Sequence, residues 1–394
     1  SKSWSEQGHE VTVLAGMVHY NTGKKSKKYK GEFTYKDLMF YKNVDLIRCH
    51  VSESYNINFI GRLWAYFSFV FSSIYAGLFK TKGKYDLIIV TSPPLFVGIT
   101  GYLLSRINRI PYVFEIRDLW PESAIDTGVL KNKLIIKFAF WFEGFIYKRA
   151  KLINVLTPAF RDKLIKIKNV PKEKVILIPN AADFSLAEKI LKDSSFNALN
   201  FKKELGLENK FVITYVGAHG VANHLIQLID AAEKLQNTNI VFQLIGSGMR
   251  KEFLQKEVIK RSLSNVIFRE PVPKSEVFKY ILASDVGASV LKNVETFKTI
   301  YSNKTFDYMS CKKPILLVID GVSRELVETA KCGIFAEPEN PLSIANKSKE
   351  MSTLEKSDLN QMGLNGYNYA IENFDRVKLS KKYIQEINTI VNDK

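Results

Sequence analysis

Two glycine-containing segments of the chain have the composition of phosphate-binding turns. In the first, a strand-like run ends at Gly217 and Gly220. In the second, Gly246 and Gly248 repeat this arrangement after the next strand-like run. Glycines let a backbone approach a ligand closely, and free N–H groups at the start of a following helix bind phosphate. Because ligands of open α/β sheets bind at the carboxyl ends of strands, the two turns are expected to converge, although either one alone fits an ordinary connection.

The segment Thr299–Pro314 carries a lysine and a carboxylate on one turn of a predicted helix. Lys304 stands three residues before Asp307. A cation near a helix start opposes the helix dipole, so Lys304 predicts an anionic partner. Asp307 would accept hydrogen bonds from the vicinal hydroxyls of a sugar. The alternative is a surface ion pair between these two side chains. Arg250, just after the second glycine turn, is a further candidate for binding phosphate.

Charged and aromatic residues also close a strand-like run in the first half of the chain, within Phe114–Glu122. Arg117 suits phosphate, which a guanidinium binds through two parallel hydrogen bonds. Asp118 or Glu122 would position an acceptor hydroxyl or act as a base, and Trp120 would face the acceptor. The alternative is an Arg–Asp brace within the loop.

Two hydroxyl side chains, Thr91 and Ser92, precede a pair of prolines at the end of another strand-like run. The prolines make this loop rigid, and the hydroxyls would either touch the acceptor or brace the loop. The three cysteines are widely spaced and form no cluster with histidines, so we expect neither a disulfide framework nor a metal site. No other cofactor is expected.

These residues must be positioned by two successive runs of alternating strands and helices. Short apolar strands separated by helices predict an α/β fold with parallel sheets covered on both faces. A polar stretch, residues 183–209, interrupts the alternation, which restarts at Phe211. We predict domains at residues 1–182 and 183–375, followed by a basic amphipathic helix within residues 376–394. The chain opens as if at the end of a helix, so a first strand and loop are expected to be missing from it.

The charge of the chain points to an anionic partner. The net charge is +17, and residues 1–180 hold 28 Lys and Arg against 14 Asp and Glu. Such an excess favours phosphates or an acidic membrane leaflet, the alternative being solubility together with the Lys24–Lys30 loop. Leu63–Phe79 is an aromatic-rich stretch of 17 residues without a charge. It is short for a bilayer span of about 20 residues and fits either a membrane-interface helix or a buried one.

Six segments, taken in order, resemble the family-4 retaining glycosyltransferases of the GT-B fold. The similarity is greatest to the WbuB-like, N-acetyl-L-fucosamine transferase subgroup that builds bacterial O-antigen and capsule. The segments are QGHEVTVLAG (Gln7–Gly16), YDLIIVTSPPLFVG (Tyr85–Gly98), PYVFEIRDLWPES (Pro111–Ser123), VILIPNAAD (Val175–Asp183), YVGAHG (Tyr215–Gly220) and SNKTFDYMSCKKPIL (Ser302–Leu316).

This resemblance implies two doubly wound, Rossmann-like domains that face each other across a cleft. The second domain would bind a nucleotide-sugar, expected to be a UDP-sugar, and the first a polyprenyl-diphosphate-linked saccharide. Transfer would retain the anomeric configuration without a metal, and the helix at 376–394 would pack back on the first domain. The enzyme would lie on the inner face of the bacterial cytoplasmic membrane, held through Leu63–Phe79 and the basic first domain, and would bind no nucleic acid.

The chain departs from the family pattern at the donor site. The family has two glutamates separated by seven residues, and Thr299 and Asp307 take their places. By this resemblance Thr299 would touch the donor sugar and Asp307 the ribose. Ala218 and Asn223 replace the usual Arg and Lys after the glycine turn. The diphosphate charge would then fall mainly on Lys304, aided by backbone N–H groups near Gly217–Gly220 and by Arg250.

Two other functions share this architecture. These departures would also suit a catalytically impaired partner subunit of another transferase. A nucleotide-sugar epimerase of the same fold needs catalytic carboxylates and a histidine, and the chain has only five histidines. The RDLWPES segment (Arg117–Ser123) also argues against an epimerase.

Overall fold

The computed structural model describes residues 1–19, 23–57 and 59–392, which form two compact units. The first unit comprises residues 1–178 and the C-terminal segment from Val377 onward. The second unit comprises Pro179–Arg376. The first unit has two sheets and the second has one, and each unit has its own buried apolar clusters.

The first unit contains strands and helices in alternation. Its strands are β1 (Val11–Gly16), β2 (Thr34–Tyr41), β3 (Val44–Cys49), β4 (Ile88–Ser92), β5 (Tyr112–Ile116), β6 (Leu152–Val155) and β7 (Val175–Leu177). Its helices before the second unit are α1 (Lys2–Ser5), α2 (Phe59–Phe79), α3 (Val97–Asn108), α4 (Glu122–Asp126), α5 (Lys133–Arg149) and α6 (Pro158–Lys166). The strands form two sheets, ordered β1-β3-β2 and β4-β5-β6-β7.

One strand of the first unit corrects the expectation of purely parallel sheets. β2 was not predicted, and it pairs antiparallel with β3. The two strands are joined by a tight turn at Lys42 and Asn43, and Asn43 adopts a positive φ of 56°. Asparagine tolerates this left-handed conformation, which two-residue hairpin turns require. The other strand pairs of this unit, β1 with β3 and β4 through β7, are parallel.

The second unit contains one six-stranded parallel sheet, whose strands lie in the order Val266–Arg269, Ile240–Ile245, Phe211–Val216, Val286–Val290, Ile315–Val318 and Gly333–Phe335. Its helices are α7 (Phe184–Leu191), α8 (Ala198–Glu204), α9 (Ile226–Glu233), α10 (Lys251–Lys260), α11 (Lys274–Ala283), α12 (Asn303–Ser310), α13 (Val322–Thr329), α14 (Pro341–Thr353) and α15 (Lys356–Asn373). Its strands are β8 (Phe211–Val216), β9 (Ile240–Ile245), β10 (Val266–Arg269), β11 (Val286–Val290), β12 (Ile315–Val318) and β13 (Gly333–Phe335).

Helices cover both faces of this sheet, as its sequence pattern predicts. Every residue of β9, β11 and β12 is buried. Successive residues of β12 point to opposite faces: Leu316 and Val318 join one apolar cluster, and Ile315 and Leu317 join the other. Burial on both faces explains why these strands are continuous apolar runs.

The polar stretch at 183–209 is not an irregular connection, because it contains α7 and α8. α7 buries Ala187 and Ile190, which are spaced for one helical face. α8 begins at a cap, where the Asn197 side chain accepts hydrogen bonds from the N–H groups of Leu199 and Asn200. The other charged residues of these helices are exposed, but α8 buries Lys202, which pairs with Asp285 (2.6 Å), so the short buried face is concealed among polar residues in the sequence.

The aromatic stretch at 63–79 lies within α2, which is buried along one side only. Ala65, Val70 and Ala76 are buried, whereas Trp64 and Phe71 are exposed. The fully buried alternative is therefore wrong for this helix. Among the residues that the structure describes, no helix combines the length and hydrophobicity needed to cross a bilayer.

The last helix, α16 (Arg376–Asn392), supplies apolar side chains to the first unit. Tyr383 and Ile387 join a buried cluster that includes Val113 and Leu152 from the sheet. The Tyr383 ring also meets the Trp4 ring edge to face, with 5.4 Å between centroids.

Candidate active site

The two glycine turns of the second unit meet where the neighbouring strands β8 and β9 end. The Gly217 N–H donates to the Ile245 carbonyl (3.0 Å), and the His219 N–H donates to the Ser247 carbonyl (2.9 Å). The Arg250 N–H donates in turn to the His219 carbonyl (2.9 Å). These bonds bring both turns to one place at the carboxyl edge of the sheet, where ligands of open α/β sheets bind.

The second turn has no room for a side chain at its two glycines. A Cβ on Gly246 would lie 1.9 Å from the Gly217 carbonyl oxygen, and one on Gly248 would lie 2.6 Å from the His219 carbonyl oxygen. Both glycines also have positive φ, 145° and 158°. Glycine is therefore required here for close backbone contact as well as for conformation.

We expect Gly246→Ala to destabilise the second unit by about 1–3 kcal/mol, because the added methyl must push the turns apart. Urea denaturation followed by circular dichroism measures this loss. Gly220→Ala is the matched control, since a Cβ there would meet its nearest atom, the Asn223 side-chain oxygen, at 3.5 Å. Equal stability of Gly246→Ala and wild type would contradict the interlocked arrangement.

The first turn is separated from the next helix. α9 begins at Ile226, several residues beyond Gly220. A phosphate at this turn would therefore meet the N–H groups of the turn itself rather than those of the first helical turn. Gly220 is partly buried, and Ala218 is exposed.

Lys304 extends from the first turn of α12 to the first glycine turn. A Cβ on Gly217 would lie 2.6 Å from Lys304 Cε, so the glycine makes room for the lysine side chain. The amine lies 5.1 Å from the centroid of the Tyr215 ring. It has no ion-pair partner within the described part of the chain. Burial lowers the pKa of Lys304 to about 8, and nearby Asp307 opposes this shift.

An unpaired, partly desolvated cation at a helix start is unfavourable unless an anion joins it. With a pKa of about 8, the Lys304 amine is mainly protonated at neutral pH. The arrangement therefore favours a bound anion beside Gly217. The anion would compensate the amine for its lost hydration, and its negative charge would offset the unfavourable interaction of the lysine with the helix dipole.

Asp307 does not form the ion pair with Lys304 that was one expectation from the sequence. It pairs instead with Lys274, the first residue of α11, at 3.3 Å. Burial raises the pKa of the Asp307 carboxyl, and Lys274 opposes that rise. A second ion pair, Asp183–Arg376 at 2.9 Å, belongs to the same unit. Sequence spacing could not identify Lys274, because its proximity to Asp307 arises only from the packing of α11 and α12.

The remaining donor-side candidates have local partners. Thr299 ends a short 3-10 helix, Glu295–Thr299, and its hydroxyl donates to the Thr296 carbonyl (2.6 Å). Arg250 is exposed at the start of α10, and its guanidinium lies over the Phe253 ring at 4.1 Å from the centroid.

A buried tyrosine that the sequence analysis did not single out fixes α12 to β8. The Tyr308 hydroxyl donates to the Ala288 carbonyl (3.0 Å) and accepts from the Val216 N–H (3.2 Å). A Cβ on Gly287 would lie 2.3 Å from the ring, so this glycine provides the space for it. Tyr308 thereby holds the helix that carries Lys304 against the strand that ends at the first glycine turn.

His219 is a second unpredicted feature, buried within the first turn. Its ring has no exposed surface, and within the described residues neither ring nitrogen has a hydrogen-bond partner. The rings of Tyr215 and Phe268 lie 6.2 and 5.9 Å away, between centroids. Burial, together with the nearby charge of Lys251, lowers the pKa of His219 to about 4, so the ring is neutral at physiological pH.

This histidine should make the stability of the second unit depend on pH. Below pH 6.5, the usual pKa of histidine, the His219 ring becomes protonated in the unfolded state, whereas in the folded state it stays neutral down to about pH 4. Stability contributed by the neutral ring is therefore complete above pH 6.5 and is lost on acidification, by about 2 kcal/mol at pH 5.

His219→Leu should lose this part of the pH dependence in urea denaturation at pH 7.5 and 5, because leucine does not titrate. His224→Leu, which removes a more exposed histidine of the same unit, is the matched control. The same acid sensitivity in wild type and His219→Leu would rule out the buried neutral ring.

In the first unit, the ends of β4 and β5 bring two candidate segments together. The Arg117 N–H donates to the Ser92 carbonyl (3.0 Å). The Arg117 side chain is exposed, and so is Thr91, whose hydroxyl donates to Glu115 (3.4 Å). Ser92 is only 2% exposed, so the structure places it inside the strand end rather than at the surface.

Glu122 occupies a network of charges rather than a free position. Its carboxylate pairs with Lys168 (2.7 Å) and Lys163 (3.3 Å), and Lys168 also pairs with Glu143 (2.5 Å). Burial would raise the pKa of Glu122, but the two lysines outweigh it and lower the pKa. A carboxylate held ionised in this way is a weak base. The geometry therefore favours a structural role, in which the ion pair of Glu122 with Lys163 connects α4 to α6.

Asp118 and Trp120 lie beside this network. The Ser123 hydroxyl donates to the Asp118 carboxylate (2.7 Å). Burial raises the pKa of Asp118, and the hydrogen bonds it accepts oppose the rise. The Trp120 ring meets the Phe96 ring at the start of α3, with 5.8 Å between centroids. The loop is thus braced by Ser123 and Phe96, whereas the Arg117 side chain remains exposed.

Comparison with known proteins shows the class to which this fold belongs. Solved structures of HepE from Anabaena, in complexes with UDP and with UDP-glucose, align with a TM-score of 0.71 over 97% of this chain and 100% of theirs, at 17% identity. The chain therefore has the GT-B fold.

Family comparisons cover most of the sequence. Residues 1–181 match the family described as "Glycosyl transferase 4-like domain", and residues 197–369 match "Glycosyl transferases group 1". The chain belongs to the glycosyltransferases that combine these two domains. The finer assignment to the WbuB-like subgroup stays a prediction.

Two curated proteins are similar over part of their length. The putative colanic acid biosynthesis glycosyl transferase WcaI of Escherichia coli is 26% identical over 265 residues, which are 66% of this chain and 64% of that protein. The probable glycosyltransferase WbjE of Pseudomonas aeruginosa is 23% identical over 278 residues, which are 70% of this chain and 68% of that protein. The matched segment thus spans about two thirds of each relative.

Proposed function

We propose that this protein transfers a sugar from a UDP-sugar to a polyprenyl-diphosphate-linked saccharide during synthesis of a bacterial surface polysaccharide. The proposal is supported by the similarity to WcaI, a putative colanic acid biosynthesis enzyme, and to HepE, which has been crystallised with UDP and UDP-glucose. Transfer retains the anomeric configuration, as in the family that the sequence resembles.

The observation that carries the proposal is the unpaired amine of Lys304 beside Gly217. A UDP-sugar presents a diphosphate, and the converged glycine turns offer it backbone N–H groups next to this cation. Asp307 lies three residues further along the same helix. In the proposed complex it accepts hydrogen bonds from the ribose hydroxyls and gives up its contact with Lys274. Its side chain is shorter than the usual glutamate by about 1.5 Å, one C–C bond, so the ribose sits closer to α12.

In this reaction Lys304 acts on the leaving group. The bond from the anomeric carbon to the diphosphate breaks, and a bond to the acceptor hydroxyl oxygen forms on the same face of the sugar. The hydroxyl proton passes to a phosphate oxygen as UDP leaves. Negative charge grows on the diphosphate as the first bond breaks, and a cation already in place stabilises that charge without reorganisation.

The acceptor is assigned to the carboxyl edge of β4 and β5 in the first unit. Arg117 is the residue best suited to the diphosphate of a lipid-linked acceptor, because its guanidinium is exposed at this edge. Asp118, in the same loop, is the better candidate for orienting the acceptor hydroxyl, because Glu122 is held by two lysines.

We expect Lys304→Ala to weaken UDP binding by about 1.5–3 kcal/mol, or roughly 10- to 150-fold in Kd, because a charge-assisted contact to the diphosphate is lost. Isothermal titration calorimetry with UDP measures the change. Lys260→Ala, which removes an exposed lysine from α10, is the control.

Lys304→Met separates charge from packing, since it keeps the stem beside Gly217. The wild-type affinity should fall above about pH 8, where the amine loses its proton, and the Met variant should lack this dependence. Without UDP, the Met variant should be at least as stable as wild type, because it no longer buries an unpaired charge. UDP affinity that is unchanged in both variants would remove Lys304 from the site.

The membrane part of the proposal rests on α2. Its exposed large side chains follow one side of the helix, and none of residues 63–79 is charged. The members of this α2 stripe are Ile60, Trp64, Phe71, Tyr75 and Phe79. Such a face suits the interface of a bilayer, where aromatic rings lie at the level of the headgroups.

Replacing Trp64, Phe71 and Phe79 together by serine should reduce binding to lipid vesicles by at least about tenfold, because each lost ring removes buried apolar area worth more than 1 kcal/mol. Sedimentation with phosphatidylcholine vesicles containing phosphatidylglycerol measures the bound fraction. Undiminished binding by this triple variant would exclude α2 as a contact.

A catalytically impaired partner subunit is the alternative that one observation favours. Thr299 replaces a carboxylate expected at the donor sugar, and its hydroxyl already donates to the Thr296 carbonyl. An assay with UDP-sugars and a polyprenyl-diphosphate saccharide, read by mass spectrometry, separates transfer from UDP binding without turnover. The same assay with UDP-sugar alone tests for an epimer product.

A further inference from the structure

The helix α5 exposes a row of apolar side chains opposite the face that it buries. Ala139, Phe142 and Ile146 are buried among the core residues of the first unit. Leu134, Phe138 and Trp141 are 79%, 53% and 61% exposed. Their spacing of four and three residues places them on one side of the helix. We call Leu134, Phe138 and Trp141 the α5 stripe.

Lysines lie beside this stripe. Lys133 and Lys137 are exposed and occupy the same helical row as Trp141, at intervals of four residues. Lys148 is exposed two turns beyond Trp141. Within residues 1–19, 23–57 and 59–392, none of these lysines has an ion-pair partner. The α5 stripe therefore combines insertable apolar groups with free positive charge, whereas the α2 stripe contains no charge between residues 63 and 79.

A chain of ring contacts connects the α5 stripe to α2 and to the loop between β5 and α4, residues 117–121, which we call the acceptor loop because the proposed function places the acceptor there. Phe138 meets Phe142 (6.2 Å), and Phe142 meets Phe96 (5.7 Å), between ring centroids. Phe96 meets Phe67 of α2 (4.9 Å) and Trp120 of the acceptor loop (5.8 Å). The two stripes and the loop therefore belong to one connected region of the first unit.

We propose that the α5 stripe and its lysines form a second membrane contact, one that recognises anionic lipid headgroups. In this arrangement α2 supplies apolar insertion on any bilayer, and α5 supplies selectivity for negative charge. The orientation of the acceptor loop toward a lipid-linked substrate rests on the function proposed above, but the lipid contact itself does not.

The chemistry of the stripe favours a lipid surface over a protein partner. Protein interfaces are depleted of lysine at their cores, because a desolvated, unpaired ammonium is costly there. At a bilayer surface, by contrast, apolar side chains enter the acyl region while the neighbouring lysines stay hydrated among anionic headgroups.

The test compares vesicles of pure phosphatidylcholine with vesicles that also contain phosphatidylglycerol, using the full chain. Lys133→Gln combined with Lys137→Gln should lower binding to the anionic vesicles about 25-fold, because each lysine near such a surface contributes a factor of roughly five. Binding of this double variant to pure phosphatidylcholine should equal that of wild type.

Replacing the α5 stripe by serine should lower binding to both kinds of vesicle by at least about tenfold. Substitution of Leu199, Met249 and Ile259 by serine, which are exposed residues of the second unit, is the matched control and should change nothing. A blue shift of Trp141 fluorescence on anionic vesicles, absent after Trp141→Phe, locates the contact. Wild-type binding to anionic vesicles by the serine variant or by the lysine double variant would overturn the proposal.

Two further measurements distinguish the lipid contact from a dimer interface and from the transferase activity. If wild type binds no vesicles and forms a dimer in solution that the serine variant abolishes, the stripe is an interface between copies and the proposal fails. UDP titration of the same variants isolates the proposed function. Vesicle binding that depends on α5 supports the contact even where wild type binds no UDP, and in that case only the transferase proposal fails.

Discussion

The backbone contact between the two glycine turns is the constraint on which the donor-side geometry depends. Where β8 and β9 end, the Gly217 carbonyl approaches Gly246 so closely that no side chain fits between them. This contact fixes the path of the first turn and leaves one open side at Gly217. The Lys304 side chain fills that side, and Tyr308 holds its helix in place through hydrogen bonds to β8 and β11. The position that we propose for an anion thus follows from a packing requirement of the backbone.

The electrostatics of the two units differ in a way that matches their proposed roles. In the second unit, the Lys304 amine is partly desolvated and has no ion-pair partner among the described residues, so its charge is available to a bound anion. In the first unit, Glu122 and Glu143 share Lys168, and Glu122 also pairs with Lys163, so two carboxylates face two lysines. An internally satisfied network stiffens a loop, whereas an unsatisfied cation prepares a binding site at some cost in stability.

The outer surface of the first unit links chemistry to location. α2 and α5 each bury one side and expose a stripe of large apolar residues, and Phe96 contacts rings from both helices as well as Trp120. Because the same rings support both stripes and the acceptor loop, contact with a bilayer would hold the loop near lipid headgroups. For the lipid-linked acceptor that we propose, only the polar head would then have to reach Arg117.

The sequence by itself determined the fold class, most strand and helix positions, the family and the segments that carry the candidate residues. Apolar runs such as Ile315–Val318 report burial on both faces of a sheet directly, because side-chain periodicity is a local property. The sequence pattern did not reveal β2, α7 and α8, because their buried faces are short and interrupted by polar residues.

Only the tertiary structure decided which charges meet. From the sequence, Lys304 and Asp307 are neighbours on one helix and could pair. In the structure, α11 packs so that Lys274 pairs with Asp307, and the Lys304 amine lies beside the first glycine turn. The tertiary structure likewise buries His219, pairs Glu122 with two lysines and leaves the α5 stripe exposed. Pairing and burial depend on groups distant in the chain, and their energies are set by local desolvation, which no spacing along the sequence encodes.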